Sequence, residues 1–162
     1  MHIKLQNTFS ISCLIICFMH FSNSLYAQKF PLRIGQKYHG KIDSFLHYLL
    51  LTSGGSFDSC FYTTISNVQF GFSKSHDGNV KFIICDDKNF ITDNVRIGDS
   101  YLYVKKQLKD TTIYNEWGFS RFVRLPSGWY ACFPLPQENH INWQGHSRIE
   151  DSQKLIWFYK RH

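Results

Sequence analysis

Histidine, cysteine and carboxylate side chains are the groups in this chain that can do chemistry. Beyond residue 27 the histidines are His39, His47, His76, His140, His146 and His162. A metal site needs imidazole or thiolate donors that converge in space, and close spacing along the chain usually announces one. His140 and His146, with Trp143 between them, are the pair at such spacing, and Cys132 is the nearest further donor. Glu138 beside His140, and Asp151 near His146, have the residue types of an acid–base pair. Two solvated histidines in a polar loop is the simpler reading, so no metal ligand, cofactor or catalytic residue is assigned. Asp86-Asp87 is not followed by carboxylates at calcium-loop spacing. Binding chemistry is better marked. Aromatic residues make up 17% of the chain, more than the core of one small domain requires, and large rings beside arginine are the usual material of binding hot spots. Phe122, Arg124 and Tyr130 fall in one hairpin, Trp117 stands just before it, and Trp143 lies in the loop after it. These five are the candidate binding residues.

One further stretch has two readings. In Val95-Arg96-Ile97-Gly98-Asp99-Ser100, the first three residues alternate as in a half-buried strand. Gly98 permits a turn that a Cβ would resist, and Asp99 or Ser100 can cap a following helix. Tyr101, Val104 and Leu108 then share one helical face, with Lys105, Lys106 and Lys109 towards the favoured C-terminal end. A helix over about 100–109 is predicted. The strand, Gly-Asp-Ser and helix also resemble the nucleophile block of the GDSL hydrolases, which would make Ser100 a nucleophile. The Asp-x-x-His and Gly-x-Asn-Asp blocks of that family do not occur in this sequence. A serine without a positioned base is a poor nucleophile, so Ser100 reads as a helix cap.

The remaining elements position these groups. Residues 28–38 form a polar lead-in. Phe45, Leu46, Leu49 and Leu50 are spaced for a helix capped by Asp43 or Ser44 and stopped at Gly54-Gly55, while Tyr48–Thr52 equally suits a strand. Cys60–Ser73 is rich in β-formers, His76-Asp77-Gly78-Asn79 signals a turn, and Val80–Cys85 returns as a strand. Residues 86–93 read as a polar connection and 110–115 as a loop. Strands over 118–125 and 129–134 meet at Pro126-Ser127-Gly128. A three-residue loop sets Leu125, Val123 and Arg121 opposite Trp129, Ala131 and Phe133, and on the other side Arg124 opposite Tyr130 and Phe122 opposite Cys132. A polar loop spans 134–152. Residues 154–160 are apolar on both faces, which places that strand centrally or under cover on both sides.

The two halves echo each other. Asp43-Ser44-Phe45-Leu46-His47-Tyr48 parallels Asp99-Ser100-Tyr101-Leu102-Tyr103-Val104, and Gly71-Phe72-Ser73-Lys74 parallels Gly118-Phe119-Ser120-Arg121. This pattern predicts a duplicated helix–strand–strand unit. A glycine-led capped helix followed by antiparallel strands resembles small envelope modules of the BamE/SmpA type and, duplicated, the β-lactamase inhibitor protein. Gly98-Asp99-Ser100 and Val104 carry the match. The resemblance implies a protein-binding or envelope-assembly module and not an enzyme.

Residues 1–27 have the pattern of a secretory signal peptide: Lys4, the apolar run Ile11–Phe21, then Leu25-Tyr26-Ala27 as a cleavage site. The run is short for a membrane span, and its ending resembles signal peptides of Bacteroidota. Cleavage removes one of the charges behind the net +6. The balance left suits anionic surfaces without requiring them, and no basic run points to nucleic acid. Cys60, Cys85 and Cys132 would remain, as one disulfide with a free thiol or as three buried thiols. Their strand-like apolar settings favour thiols. The expectation is a periplasmic or extracellular protein with a single α+β domain over 28–162. Its antiparallel sheet would have about five or more strands, with one or two helices packed on it. The expected function is non-catalytic binding of a protein or cell-envelope component, with a small secreted hydrolase using loop His and acidic residues as the alternative.

Overall fold

A computed structural model describes residues 30–53, 56–116, 120–134 and 148–161, and every strand and helix named here falls in the unit Leu32–His162. Four strands form a meander: β1 (Ser44–Ser53), β2 (Ser56–Ile65), β3 (Val68–Lys74) and β4 (Val80–Cys85). A small ribbon follows, β5 (Ile91–Thr92) with β6 (Val95–Arg96), and then helix α1 (Tyr101–Lys105). A second meander comprises β7 (Ile113–Glu116), β8 (Ser120–Arg124) and β9 (Tyr130–Phe133). Strand β10 (Trp157–Arg161) joins the two meanders. The order across the large sheet is β1-β2-β3-β4-β10-β9-β8-β7, and every pairing is antiparallel.

The fold is therefore mostly β and not α+β. Among the described residues it has one helix, of five residues. The first predicted helix is strand: Ser44–Leu46 and Leu50–Ser53 are paired with β2. Apolar spacing at 45, 46, 49 and 50 fits both periods, and the adjacent strand decides between them by supplying backbone partners. Without a first helix, the duplicated helix–strand–strand unit does not exist. The second helix is real but short. Ser100 is its N-cap, accepting from the Tyr103 N–H. Beyond Val104 the chain tightens into i→i+3 bonds, Gln107 N–H to Val104 O at 2.9 Å and Leu108 N–H to Lys105 O at 3.3 Å. Residues 113–115, read as loop, belong to β7 (Ile113–Glu116), because they find partners along β8.

Positive φ angles set the turns. Gly78 (φ 83°) closes β3 to β4 and Gly128 (φ 81°) closes β8 to β9, as predicted. Two turns use non-glycine residues. Ser66 (52°) and Asn67 (63°) divide the β-rich run 60–73 into β2 and β3, and Asp93 (51°) and Asn94 (61°) close the ribbon. Two consecutive positive φ values give the turn whose twist matches flanking strands. The Asp93 carboxylate also accepts from Ser127 N–H at 3.1 Å and from the Ser127 hydroxyl, which ties the ribbon to the β8–β9 turn.

Alternation divides the sheet into two faces. One carries Phe61, Phe70, Phe72, Ile83, Cys85, Val123, Ala131, Phe133 and Phe158. Ribbon, helix and connections cover it: Phe90 packs edge-on to Phe70 and Phe158, Tyr101 edge-on to Phe133, and Val95, Val104, Leu125 and Leu155 are buried there. The α1 start is held by backbone bonds to the segment before β10, Gly98 N–H to Leu155 O and Tyr101 N–H to Gln153 O, each 2.8 Å. The other face carries the candidate site.

Candidate binding face

The register of the β8–β9 hairpin builds the first part of this face. Phe122 lies opposite Cys132 and Arg124 opposite Tyr130, with Arg121–Phe133 and Val123–Ala131 on the covered side. These are the pairs that the loop length predicted. Strand β10 extends the face: Tyr159 lies between Tyr130 of β9 and Ile84 of β4, Trp157 opposite Cys132, and Arg161 opposite Phe82. Strand β7 ends it, with Tyr114 opposite Phe122.

The rings form a row across five strands. Phe82 stacks on Tyr159 at 5.2 Å and Tyr159 on Tyr130 at 4.8 Å, with interplanar angles of 12° and 16°. Phe122 meets both tyrosines edge-on, at 5.2 and 5.5 Å, and Tyr114 stacks on Phe122 at 5.6 Å. Trp157 tilts against Tyr159, and the Arg161 guanidinium sits 5.6 Å above the Tyr159 ring. Offset stacks and edge contacts satisfy the ring quadrupoles, at about 0.5–1.5 kcal/mol per pair beyond area burial. Phe82, Phe122 and Tyr159 are buried in the row, while Tyr130 and the Tyr114 end reach solvent. Tyr114 is 38% exposed, Arg124 is exposed, and Tyr62, Tyr130, Trp157 and Arg161 are half-buried.

Of the five predicted binding residues, Phe122, Arg124 and Tyr130 share this face. Trp117 and Trp143 lie outside the described residues. Sequence reasoning missed Tyr114, because its segment read as loop, and Trp157, Tyr159, Phe82 and Arg161. The alternation of Trp157 and Tyr159 was visible, but the neighbours of a central strand were not. Leu125, Trp129 and Phe133 are buried on the opposite side.

The chemically reactive groups are differently placed. The Ser100 hydroxyl oxygen accepts from Tyr103 N–H at 3.4 Å, and Asp99 accepts from Arg96 N–H at 2.9 Å. Both are engaged in local turns. Among the described residues there is no group of three or more His, Cys, Asp or Glu side chains able to hold a metal ion. His140, His146 and Glu138 lie outside them. Cys60, Cys85 and Cys132 are buried free thiols. Burial pushes the Cys85 thiol up to about 12 and raises that of Cys60. Burial, aided by a hydrogen bond with Cys60, pushes the Tyr62 phenol up to about 12.

These shifts carry a sign. Ordinary thiols and phenols lose their protons near 9.0 and 10.0, so between these values and about 12 the folded chain keeps protons that the unfolded chain has lost. The corresponding stability is fully present below about pH 9 and declines as pH rises towards 12. The urea midpoint should fall progressively over that window, and a thiol reagent at pH 8 should modify these three cysteines only after denaturation. Rapid labelling of the native protein would contradict this burial.

The chain matches no protein-family model, and no curated protein or solved structure is significantly similar to it.

Proposed function

We propose that this chain is an exported, non-catalytic binding module and that its aromatic face receives a protein partner. The observation that carries this reading is the ring row with solvent-reaching margins, in which Arg124 faces Tyr130 across the strands and Tyr114, Trp157 and Arg161 flank them. Tyrosine, tryptophan and arginine are the residues enriched in protein interfaces, whereas lysine is depleted there. The buried centre holds the rings in place, so a partner meets side chains with little rotamer freedom left to lose. Export is supported by the composition of residues 1–27.

A photo-reactive phenylalanine in place of Tyr114, introduced in the producing cell, tests the reading. It should give a protease-sensitive adduct, and the partner identified in it should bind the Arg124→Ala, Tyr130→Ala variant about ten- to a hundredfold more weakly. The intact mass of the purified chain should correspond to a start near Gln28. A protease-resistant adduct, or none, would remove the protein partner; retention of Met1–Tyr26 would remove export.

A further inference from the structure

The two outer strands of the large sheet differ. Strand β7 has four residues, includes Glu116 and follows Asp110-Thr111-Thr112. Strand β1 has ten residues, Ser-Phe-Leu-His-Tyr-Leu-Leu-Leu-Thr-Ser, with no lysine, arginine, aspartate, glutamate or proline. Among the described residues, nothing pairs along its outer side. An outer strand presents a row of backbone N–H and C=O groups to any extended segment, and proteins normally protect such edges with charge, proline or brevity. The sequence of β7 supplies two of these and that of β1 none. Exposed large apolar residues gather at the same place, with Ile42 39%, Phe45 41% and Leu46 42% exposed.

We infer that β1 pairs antiparallel with β1 of a second copy of this chain, joining two sheets across a two-fold axis. The sequence of the strand suits itself. In the register that overlaps its full length, Ser44 lies opposite Ser53 of the second copy, Phe45 opposite Thr52, Leu46 opposite Leu51, His47 opposite Leu50, and Tyr48 opposite Leu49. No like charges meet, and Leu46 meets Leu51 and Tyr48 meets Leu49, while His47 faces Leu50 and Phe45 faces Thr52. A two-fold contact closes on itself. Pairing β1 to β7 head to tail would instead propagate, and the short acidic β7 opposes that. Two register shifts within β1, between Leu46 and Leu50 and between Leu51 and Ser53, kink the strand. In the self-overlapping register the first shift falls against itself, while the second, at Leu51–Ser53, lies opposite the regularly paired Ser44–Leu46 of the other copy.

Sedimentation equilibrium of the exported chain tests this. A monomer–dimer equilibrium is expected. The Leu46→Lys, Leu51→Lys variant sets lysine opposite lysine twice, and its dimer should be about tenfold weaker. The Leu46→Lys, Leu51→Glu variant carries the same burden on the monomer but sets opposite charges across the axis, and it should restore the dimer. Circular dichroism of the two variants separates loss of pairing from loss of fold. If both double variants unfold, disulfide capture of the Leu46→Cys, Leu51→Cys chain as a covalent dimer decides the question. A monomer at every concentration, an open-ended polymer, or a dimer indifferent to the two charge patterns would overturn the inference.

Discussion

Replacing Tyr159 by alanine is expected to remove about 3–5 kcal/mol of stability, the usual cost of deleting a buried large ring. Tyr159 is fully buried in the middle strand, and Phe82, Tyr130, Phe122 and Trp157 all pack on its ring. Its loss opens a cavity where the two meanders meet, and neighbours fixed on three other strands cannot all move in to fill it. Domains of this size have about 5–15 kcal/mol in total, so the urea midpoint should fall by roughly a fifth of its value or more. A shift below about 1 kcal/mol would mean that the layer collapses around the gap.

The opposite change in the same layer should also be costly. Gly71 lies in β3 between Tyr62 of β2 and Ile84 of β4. A Cβ there would lie 2.8 Å from Ile84 Cγ2, 3.0 Å from Cys60 Sγ and 3.3 Å from a Tyr62 ring carbon. The first contact is shorter than side chains tolerate, so Gly71→Val should cost about 1–3 kcal/mol by overpacking despite the better strand propensity of valine. Removing the obstructing methyl with Ile84→Ala should return part of that loss in a double-mutant cycle. Strict additivity in the cycle would show that Ile84 is not the obstacle.

These two residues show what could be read from the sequence and what could not. Local rules located the turns at Gly78, Gly98 and Gly128, the Ser100 cap and the hairpin register that sets Arg124 opposite Tyr130, because each depends on a few consecutive residues. The apolar character of residues 154–160 on both faces correctly placed that strand inside the sheet. What sequence alone could not supply was the identity of neighbours. Gly71 looked like part of a repeat, yet it is the small residue that lets Ile84 and Tyr62 close over it. Phe45–Leu50 satisfied a helical spacing, and only pairing with β2 made it strand. The Ser66-Asn67 turn lacks the glycine that usually betrays such a turn, so two strands read as one run. The same gap in knowledge explains the candidate face. Its β8–β9 half followed from loop length, and its β10, β4 and β7 parts depended on an order of strands that no local pattern encodes.

That order has a consequence for the timing of assembly. As the chain emerges in sequence, β1–β4 and β7–β9 can each form a meander, but they share no strand–strand pairing until Trp157–Arg161 is available to lie between β4 and β9. Until then β4 and β9 both have an open side, and Ile84 and Tyr130 lack the ring that later separates them. Late, long-range closure of this kind slows folding. Under the export proposed above, that slowness keeps the chain threadable for longer, since the two meanders cannot be joined before Trp157–Arg161 is available to both.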